Sequence, residues 1–441
     1  MIILLVGTHL FLTLRLRFPQ RYIGKAIRLS VKRDHDSEGD VSQFSALATG
    51  LAATIGTGNI IGVATAVAMG GPGAIFWCWV TGIFGIATKY AEGLLSIKYR
   101  VRLPNGKMLG GPMYAIERGM KCKWLAVLFA VFAFLASFGI GCTIQSNAIA
   151  TMAQESFGWD SSLVGLVLAL LIGSVVIFGV KGIARVCEFL VPFMAAFYIL
   201  GCLVLLGINI SHLPHAISVI CSSAFTTQAA TGGFVGSTLM LSMRFGIARG
   251  LFSNEAGLGS APIVAAAAKT KNPVRQALVS STSVFWDTVV ICALTGLVLV
   301  TTILADNGID SSASATLTRR AFEQIPLMVG DVNLGSVILS IAVFTFAFST
   351  ILGWSYYGEK ALEYLCGPYG RAGRYIYRLL ITLGTYFGAT RALEVVWNFG
   401  DATNALMAIP NLICLLALSG VLVRETRHYL WDGHLDEEAG E

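Results

Sequence analysis

The apolar segment 44–69 is interrupted near its middle by a run of glycine, threonine, glycine and asparagine at positions 56–59. The segment is long enough to cross a bilayer, which takes roughly twenty helical residues. Such a run makes a poor continuous helix, because each glycine costs about 1 kcal/mol relative to alanine. A helix broken at this depth exposes backbone N–H and C=O groups that lipid cannot satisfy. The segment therefore predicts a broken membrane helix that lines a cavity or binds a ligand, as in secondary transporters.

The composition indicates a membrane protein independently. Hydrophobic residues make up 55% of the chain and charged residues 13%, with a mean hydropathy of +0.72, whereas a soluble domain carries about 25% charged residues. A large soluble protein would need a polar surface that this composition cannot provide. The nine cysteines are scattered singly without a CxxC pair, which is typical of small apolar positions in helices and predicts neither a disulfide framework nor a metal cluster.

The loops that connect the apolar segments alternate in their content of Lys and Arg. The positive-inside rule then predicts an extracellular N-terminus and a cytoplasmic C-terminus. These loops account for the net charge of +6, so we expect no nucleic-acid partner. Residues 20–33 mix apolar and basic side chains and predict an amphipathic helix on the inner leaflet. About eleven windows are apolar enough to span, namely 1–16, 44–69, 73–98, 124–153, 163–180, 188–208, 220–243, 276–303, 334–365, 376–394 and 402–423.

The pattern predicts an all-α polytopic membrane protein with one N-terminal helix and a 5+5 inverted-repeat core. Ten windows follow the first one, and halves of five helices must have opposite orientations because five is odd. Each half opens with a glycine-interrupted segment, 56–58 in the first and 231–236 in the second, and paired breaks of this kind point to a transporter binding site. The alternative is that these glycines only permit close helix packing. The predicted divisions are 1–43 for the N-terminal segment, 44–210 and 211–424 for the repeats, and 425–441 for a cytoplasmic tail.

Several long motifs resemble those of the alanine or glycine:cation symporter family. They are FSAL at 44–47, GNIIGVATA at 58–66, GGPGA at 70–74, GGPMY at 110–114, RGLFSNEAGLGSAP at 249–262 and GWSYYGEK at 353–360. The resemblance runs from about Gly7 to the last span. It implies a sodium-driven importer of alanine or glycine in a prokaryotic plasma membrane. It also implies the fold of bacterial leucine transporters in the APC superfamily.

An amino-acid zwitterion needs partners for its carboxylate and its ammonium group. Free N–H groups and the positive end of a half-helix attract a carboxylate, so we expect it at 57–59, and the ammonium at carbonyls of 231–233. Two amides in one apolar helix, Gln145 and Asn147, are two residues apart, so at most one is expected to meet the substrate, and interhelical hydrogen bonding is the alternative. The predicted substrate-binding residues are Thr54, Thr57, Gly58, Asn59, Gln145, Asn147, Thr231, Gly232, Gly233, Phe234, Thr350 and Trp354.

Sodium is a hard cation that prefers oxygen ligands. By similarity to the leucine-transporter fold, the ion would bind the hydroxyls of Ser349 and Thr350 and the carbonyls of Ala52, Ile55 and Phe346. The alternative for the two hydroxyls is bonding to carbonyls of their own helix. Sodium is the only cofactor expected, as a co-transported ion, and no organic cofactor is expected.

Trp354 lies one helical turn after Thr350, and with Phe234 it could wall a small pocket that limits substrate size. The alternative is packing or lipid contact. Asp287 lies near the middle of its span, where it could pair with an ion, carry a proton or hydrogen-bond a broken helix. The motif at 253–262 precedes basic residues and predicts a cytoplasmic connection that serves as gate or scaffold.

The competing function is a proton-coupled amino-acid permease of the same fold, which would depend on Asp287. A membrane enzyme would need a cluster of acids, bases or metal ligands that the sequence does not offer. The expected partners are a small-molecule substrate and the lipid bilayer. A single chain is expected to be sufficient for transport, and the oligomeric state is left open.

Overall fold

The computed structural model describes residues 2–32, 37–104, 106–225, 238–306, 308–330, 332–367, 371–391 and 393–438. These residues are mostly helical, as the sequence predicts. Up to residue 208 the α-helices are α1 (Ile2–Arg15), α2 (Ile23–Ser30), α3 (Gln43–Thr54), α4 (Val63–Gly70), α5 (Gly73–Lys98), α6 (Pro112–Tyr114), α7 (Lys123–Phe138), α8 (Ile144–Phe157), α9 (Ser161–Val176) and α10 (Gly179–Ile208).

Ten further α-helices follow. They are α11 (Leu213–Ser223), α12 (Leu239–Asn254), α13 (Pro262–Ala265), α14 (Pro273–Val284), α15 (Ala293–Ala305), α16 (Ser314–Phe322), α17 (Leu334–Cys366), α18 (Arg371–Ala389), α19 (Leu393–Ala417) and α20 (Ser419–Thr426). Turns of π-helix lie at Gly58–Gly62, Ala115–Gly119, Gly139–Thr143, Phe285–Cys292 and Arg427–Trp431, and 3₁₀ turns at Pro19–Tyr22 and Ile210–His212. Two antiparallel hairpins pair β1 (Val101–Arg102) with β2 (Met108–Leu109) and β3 (Met328–Val329) with β4 (Val332–Asn333).

Six helical stretches within the described ranges are long and apolar enough to cross a membrane, or up to eight if each of two bent pairs is one span. The bent pairs are Ile2–Arg15 with Pro19–Ser30, at 66°, and Gln43–Thr54 with Gly58–Gly70, at 51°. This confirms a polytopic helical membrane protein. The count of eleven spans and the inverted repeat stay predictions.

The predicted amphipathic segment 20–33 contains α2, which packs against α14. Its buried side chains are Ala26, Leu29 and Ser30, while Lys25 and Arg28 are exposed. The amphipathic pattern is therefore satisfied at least in part by packing on the protein. The contact with a lipid leaflet stays a prediction.

The first helix break is where the sequence predicts it. Helix α3 begins after Ser42, whose Oγ accepts a hydrogen bond from Ser45 N at 3.0 Å, and ends at Thr54. Ile55 is extended, with φ −74° and ψ 94°, and the π-turn that leads into α4 begins at Gly58. Helix α3 packs against α10 and α17, so the break lies inside the helical assembly.

A second break separates α12 from α13. Glu255, Gly257 and Gly259 have φ of 54°, 93° and 83°, and this left-handed backbone ends α12. The predicted break at 231–236 lies outside the described residues. The sequence also predicts a cytoplasmic connection at 253–262; the structure shows this segment buried, with Glu255 and Ser260 at most 1% exposed, and its side of the membrane stays a prediction. The motif is a buried helix break in which Gly257 N and Gly259 N donate to Glu92 and Ser260 donates to Glu255.

Candidate functional site

Five oxygens converge where the first break faces the middle of α17. The Ser349 hydroxyl lies 3.2 Å from the Ala52 carbonyl and 2.9 Å from the Phe346 carbonyl. The Thr350 hydroxyl lies 3.1 Å from Ala52 O, 3.3 Å from Ile55 O and 3.0 Å from Phe346 O. Two hydroxyl hydrogens cannot satisfy the lone pairs of three carbonyls and two hydroxyls at once. The cluster is therefore rich in unprotonated oxygen, which is the chemistry that suits a hard cation.

The N–H groups freed by the same break meet side-chain oxygens. Gly56 N donates to Asn59 Oδ1 at 2.9 Å, and Thr57 N donates to Gln145 Oε1 at 3.2 Å. Gln145 Nε2 in turn donates to the carbonyl of Ile140 at 3.1 Å. Because every bonded acceptor here is neutral, an anion would be a stronger partner for the same N–H groups.

The Thr57 hydroxyl is buried at this break and has no hydrogen-bond partner among the described residues. A Cβ placed on Gly56 would lie 2.5 Å from Thr350 Oγ1 and 3.3 Å from Gln145 Oε1. Only glycine therefore fits between the oxygen cluster and the amide of Gln145. A Cβ on Gly58 would lie 3.1 Å from a ring carbon of Phe252, so an aromatic ring closes the other side.

Asn59 and Asp287 connect the first break to Ser253, which lies near the end of α12, just before the second break. Asn59 Nδ2 donates to Asp287 Oδ1 at 2.8 Å and lies 3.3 Å from the sulfur of Cys292. Asp287 Oδ2 accepts from Ser253 Oγ at 2.9 Å and from Thr288 Oγ1 at 2.7 Å. Of the alternatives open for Asp287, the hydrogen bond to a broken helix is the one present in this conformation.

The second break is completed by a buried carboxylate. Glu92 Oε1 accepts from Gly257 N and Gly259 N, each at 3.0 Å, and from Asn411 Nδ2 at 2.7 Å. The other oxygen of Glu92 lies 3.9 Å from Lys89 Nζ. All five residues at this point are buried, and the exposed fraction of Glu92 is 2%.

Trp354 is bonded to the same break. Its Nε1 donates to Glu255 Oε1 at 2.9 Å, and Ser260 Oγ donates to the other oxygen of Glu255. The indole is fully buried and packs against Gly141, where there is no room for a Cβ. Trp354 is thus an interior wall between α17, the π-turn Gly139–Thr143 and the second break, and it does not face lipid.

The N-terminal end of α3 is fastened to the connection that precedes α14. Val41 forms an isolated parallel bridge with Ala268, and Gln43 Nε2 donates to Thr270 Oγ1 at 3.0 Å. The carbonyls of Ala52 and Ile55 are on the same helix and its cap, so a movement of this end would move the oxygen cluster.

The C-terminal segment in turn holds that connection. Asn272 Nδ2 donates to the carbonyls of Leu435 and Glu437 at 2.8 and 2.9 Å. Arg275 Nη1 donates to Asp436 Oδ1 at 2.6 Å, and this hydrogen bond lowers the pKa of the Asp436 carboxyl.

The structure separates the remaining predicted residues. Among the described residues, Thr54 Oγ1 bonds only to carbonyls of its own helix, at 3.3 Å. Asn147 Nδ2 donates to the carbonyls of Gly388 and Arg391 at 3.1 and 2.8 Å, so it holds the end of α18 and lies apart from the break. Of the two amides, only Gln145 reaches the break. Thr231, Gly232, Gly233 and Phe234 lie outside the described residues.

Sequence reasoning missed three residues that the structure brings to the site. Phe252 lies against Gly58, Glu255 meets Trp354 and Asn411 meets Glu92. A signal was available for the first two, because both belong to the motif 249–262, which combines glycines with buried-type polar residues. Asn411 follows a proline within an apolar helix, and nothing in its neighbourhood indicates its partner.

Comparison with known sequences identifies close similarity. The model of the sodium:alanine symporter family matches residues 1–439. The sodium/alanine symporter AgcS of Methanococcus maripaludis is 50% identical over 97% of this chain and 94% of that protein. An uncharacterized transporter of Haemophilus influenzae is 49% identical over 99% and 95%. The probable sodium/glutamine symporter GlnT of Bacillus subtilis is 35% identical over 97% and 87%.

Comparison with solved structures addresses the fold. The crystal structure of MhsT in complex with L-phenylalanine matches with a TM-score of 0.58 at 15% identity, over 89% of this chain and 90% of that one. A Na⁺-coupled sialic acid symporter in a substrate-bound outward-open state matches with a TM-score of 0.57 at 10% identity, over 95% and 97%. The architecture is thus that of transporters with the leucine-transporter fold.

Proposed function

The chain belongs to the sodium:alanine symporter family, and on that premise we propose that it imports alanine or glycine together with sodium by alternating access. It is a multi-pass membrane transporter of small amino acids. Like its relatives, it is a transporter and not an enzyme. The proposal adds the coupling to sodium, the choice of alanine or glycine, a prokaryotic plasma membrane with the N-terminus outside, and a single chain as the working unit.

The oxygen cluster at the first break is the observation that carries this proposal. Sodium would bind the Ser349 and Thr350 hydroxyls and the carbonyls of Ala52, Ile55 and Phe346, whose separations are given above. The hydroxyl hydrogens that now point at the carbonyls would turn away, so that all five oxygens present lone pairs. Backbone oxygens from a broken helix are the usual ion ligands in transporters of this kind.

The substrate carboxylate would bind the N–H groups at 57–59. Thr57 N and the unpartnered Thr57 hydroxyl are donors at that point, and the positive end of the half-helix that begins at Gly58 favours an anion. Gln145, on α8, contacts the same donors, because its Oε1 accepts from Thr57 N. The ammonium group would bind carbonyls of 231–233, as the sequence predicts for that segment.

Coupling follows from the position of both ligands on one broken helix. The ion binds α3 to α17, and the substrate binds the turn that follows α3. If both ligands stabilise the same closed conformation, each raises the affinity for the other by the same factor. If the end of α3 moves during alternating access, the contacts of Val41 and Gln43 with 268–270 would have to open.

Trp354 would set the size limit of the pocket. Its indole is held by Glu255 and packed on Gly141, so it cannot swing aside without losing a buried hydrogen bond. A methylene is worth only about 1–3 kcal/mol of discrimination through contact, and a fixed steric wall excludes a larger side chain more strongly. The wall therefore favours alanine or glycine over leucine.

The first test is uptake of radiolabelled alanine into proteoliposomes. An inward sodium gradient is compared with potassium and proton gradients of equal size. We expect uptake with sodium only, competed by glycine and not by leucine. Equal uptake in choline medium would contradict sodium coupling.

The ion site is tested by Thr350→Ala. The half-activating sodium concentration should rise roughly 10–100-fold, because a bond to a charged partner is worth about 1.5–3 kcal/mol. Thr345→Ala is the matched control, since this hydroxyl is on the same helix and, within the described ranges, bonds only to the Ile341 and Ala342 carbonyls. Normal sodium activation of a folded Thr350→Ala protein would remove Thr350 from the site.

Proton coupling is the second candidate, and the burial of Asp287 supports it. The Asp287 carboxylate is fully buried and is bonded only to neutral donors in the described residues. If it carries a proton, Asp287→Asn should abolish uptake driven by a pH gradient and spare sodium-driven uptake. Loss of sodium-driven uptake alone would assign Asp287 to the sodium path.

A further inference from the structure

The amide of Gln145 occupies the donor that the substrate needs. Its Oε1 accepts from Thr57 N at 3.2 Å, and under the proposed function this N–H binds the substrate carboxylate. One N–H cannot serve two strong acceptors at full strength, so substrate and Gln145 compete for it. The side chain is 2% exposed, and within the described residues no other acceptor is bonded to Thr57 N.

The competition is between unequal partners. An amide oxygen is a neutral acceptor, and a carboxylate forms a charge-assisted hydrogen bond that is roughly twice as strong. The Thr57 hydroxyl is buried and has no partner within the part of the chain that the structure describes, so an incoming carboxylate would gain a second donor that Gln145 leaves unused. This unpartnered group is an independent sign that the turn is built for a further ligand.

The amide can change partners without leaving the site. Its Nε2 bonds to the carbonyl of Ile140 in its own helical segment at 3.1 Å, and Gly56 places no side chain between its Oε1 and Thr350 Oγ1, where a Cβ would not fit. A rotation of the side chain would withdraw the oxygen from Thr57 and present an N–H in its place. That N–H is a donor of the kind a carboxylate accepts.

We propose that Gln145 is a replaceable internal acceptor, which holds Thr57 N–H when the site is empty and is displaced by the substrate carboxylate. The inference rests on the proposed function and extends it to a requirement for an anion. A buried N–H left without a partner costs about 1–3 kcal/mol, and Gln145 removes that cost from the empty transporter. Only a ligand that binds the N–H better than an amide oxygen displaces it, so alanine binds and alaninamide does not.

The test is Gln145→Glu, which attaches a permanent carboxylate to the internal acceptor. Ligand binding is measured on the purified full chain as the sodium-dependent shift of its melting temperature with alanine and with alaninamide. We expect the apparent alanine affinity to fall at least about tenfold through like-charge repulsion. We expect alaninamide, a cation without a carboxylate, to bind the variant and not the wild type. Sodium alone should still stabilise the variant.

Gln154→Glu is the matched control. It makes the same chemical change on α8 at an exposed position, where the amide oxygen accepts from Ser161 Oγ. It should bind alanine as the wild type does and should not bind alaninamide. Alanine binding by Gln145→Glu at wild-type affinity, or binding of neither ligand by a variant that sodium still stabilises, would overturn the proposal.

Gln145→Met covers the case in which the glutamate variant does not fold. It keeps the length of the side chain and removes the acceptor. We expect sodium-dependent alanine uptake with a KM within about tenfold of the wild type. Loss of the competing Gln145 oxygen should strengthen alanine binding, and loss of the Gln145 N–H donor should weaken it. Complete loss of alanine binding in a folded variant that sodium stabilises would make Gln145 an obligatory ligand and overturn its replaceable role. A wild type that binds no alanine would instead contradict the proposed function itself.

Discussion

The two helix breaks are completed by chemically different partners. At the first break, Thr57 N and Gly56 N meet the neutral oxygens of Gln145 and Asn59. At the second break, Gly257 N and Gly259 N meet the carboxylate of Glu92. The first set of donors can still gain by exchanging its acceptor for an anion, whereas the second already has one.

This difference indicates different roles for the two breaks. A break whose donors and carbonyls are bonded to hydroxyls and amides can open to a ligand at little cost, because each bond is replaced by a stronger one. A break that depends on a buried carboxylate cannot release it, since an unpaired charge in the interior costs several kcal/mol. We therefore interpret 255–261 as a fixed brace and 55–58 as the exchangeable site.

Glu92→Ala should have the largest effect. It leaves Gly257 N, Gly259 N and Asn411 without their shared acceptor, and the free energy of unfolding should fall by about 3–5 kcal/mol. The measurement is thermal unfolding of the purified protein in detergent. Glu92→Gln, which keeps one acceptor oxygen, should lose clearly less, and equal losses in both variants would show that the charge itself is required.

Sodium should stabilise the protein through the first break only. Saturating sodium, at about 100 times its Kd, should raise the free energy of unfolding by about 2.7 kcal/mol. Ser349→Ala should remove most of this increment, because it deletes one of the oxygens next to Ala52. Glu92→Gln should keep the increment although its starting stability is lower. If Ser349→Ala and Glu92→Gln lost the stabilisation by sodium equally, the two helix breaks would not have different roles.

Trp354→Phe should weaken the second break by a smaller amount. The variant keeps an aromatic wall against Gly141 and deprives Glu255 of one donor, at a cost of about 1–3 kcal/mol. Its melting temperature should fall, and the sodium-induced rise should stay as in the wild type. A folded variant with unchanged stability would show that the indole N–H is not part of the brace.

Thr54→Ala should have the smallest effect. Its hydroxyl bonds to carbonyls of its own helix, so we expect a change in unfolding free energy within about 0.5 kcal/mol. Sodium activation and alanine KM should match the wild type in the uptake assay. A rise in the half-activating sodium concentration or in the alanine KM would show that Thr54 contributes to binding.

The sequence predicted the break at 55–58 but not the break at 255–261, and the reason is physical. Gly56 and Gly58 interrupt an otherwise apolar segment, so the local pattern itself carries the break. The polar run at 253–260 resembles an exposed connection, because burial of Glu255 depends on Trp354, which is distant in sequence. Composition cannot show which distant side chain completes a turn.

Two neighbouring amides illustrate the same limit. Gln145 and Asn147 have similar surroundings in sequence, yet one reaches the break and the other holds the end of α18. Their separation of two residues indicates different faces of a helix, without indicating which face points inward. Glu359 and Lys360 form ion pairs with Arg378 and Glu363, partners that the sequence does not indicate either.

The absence of a carboxylate among the five oxygens at the first break has an electrical consequence. On the proposed function, a bound sodium ion is not neutralised by its own ligands, and an alanine zwitterion adds no net charge. The loaded site would therefore move one positive charge across the membrane, and the empty site would return without it. Each charge moved through 100 mV is worth about 2.3 kcal/mol, so the membrane voltage would drive alanine accumulation alongside the sodium gradient.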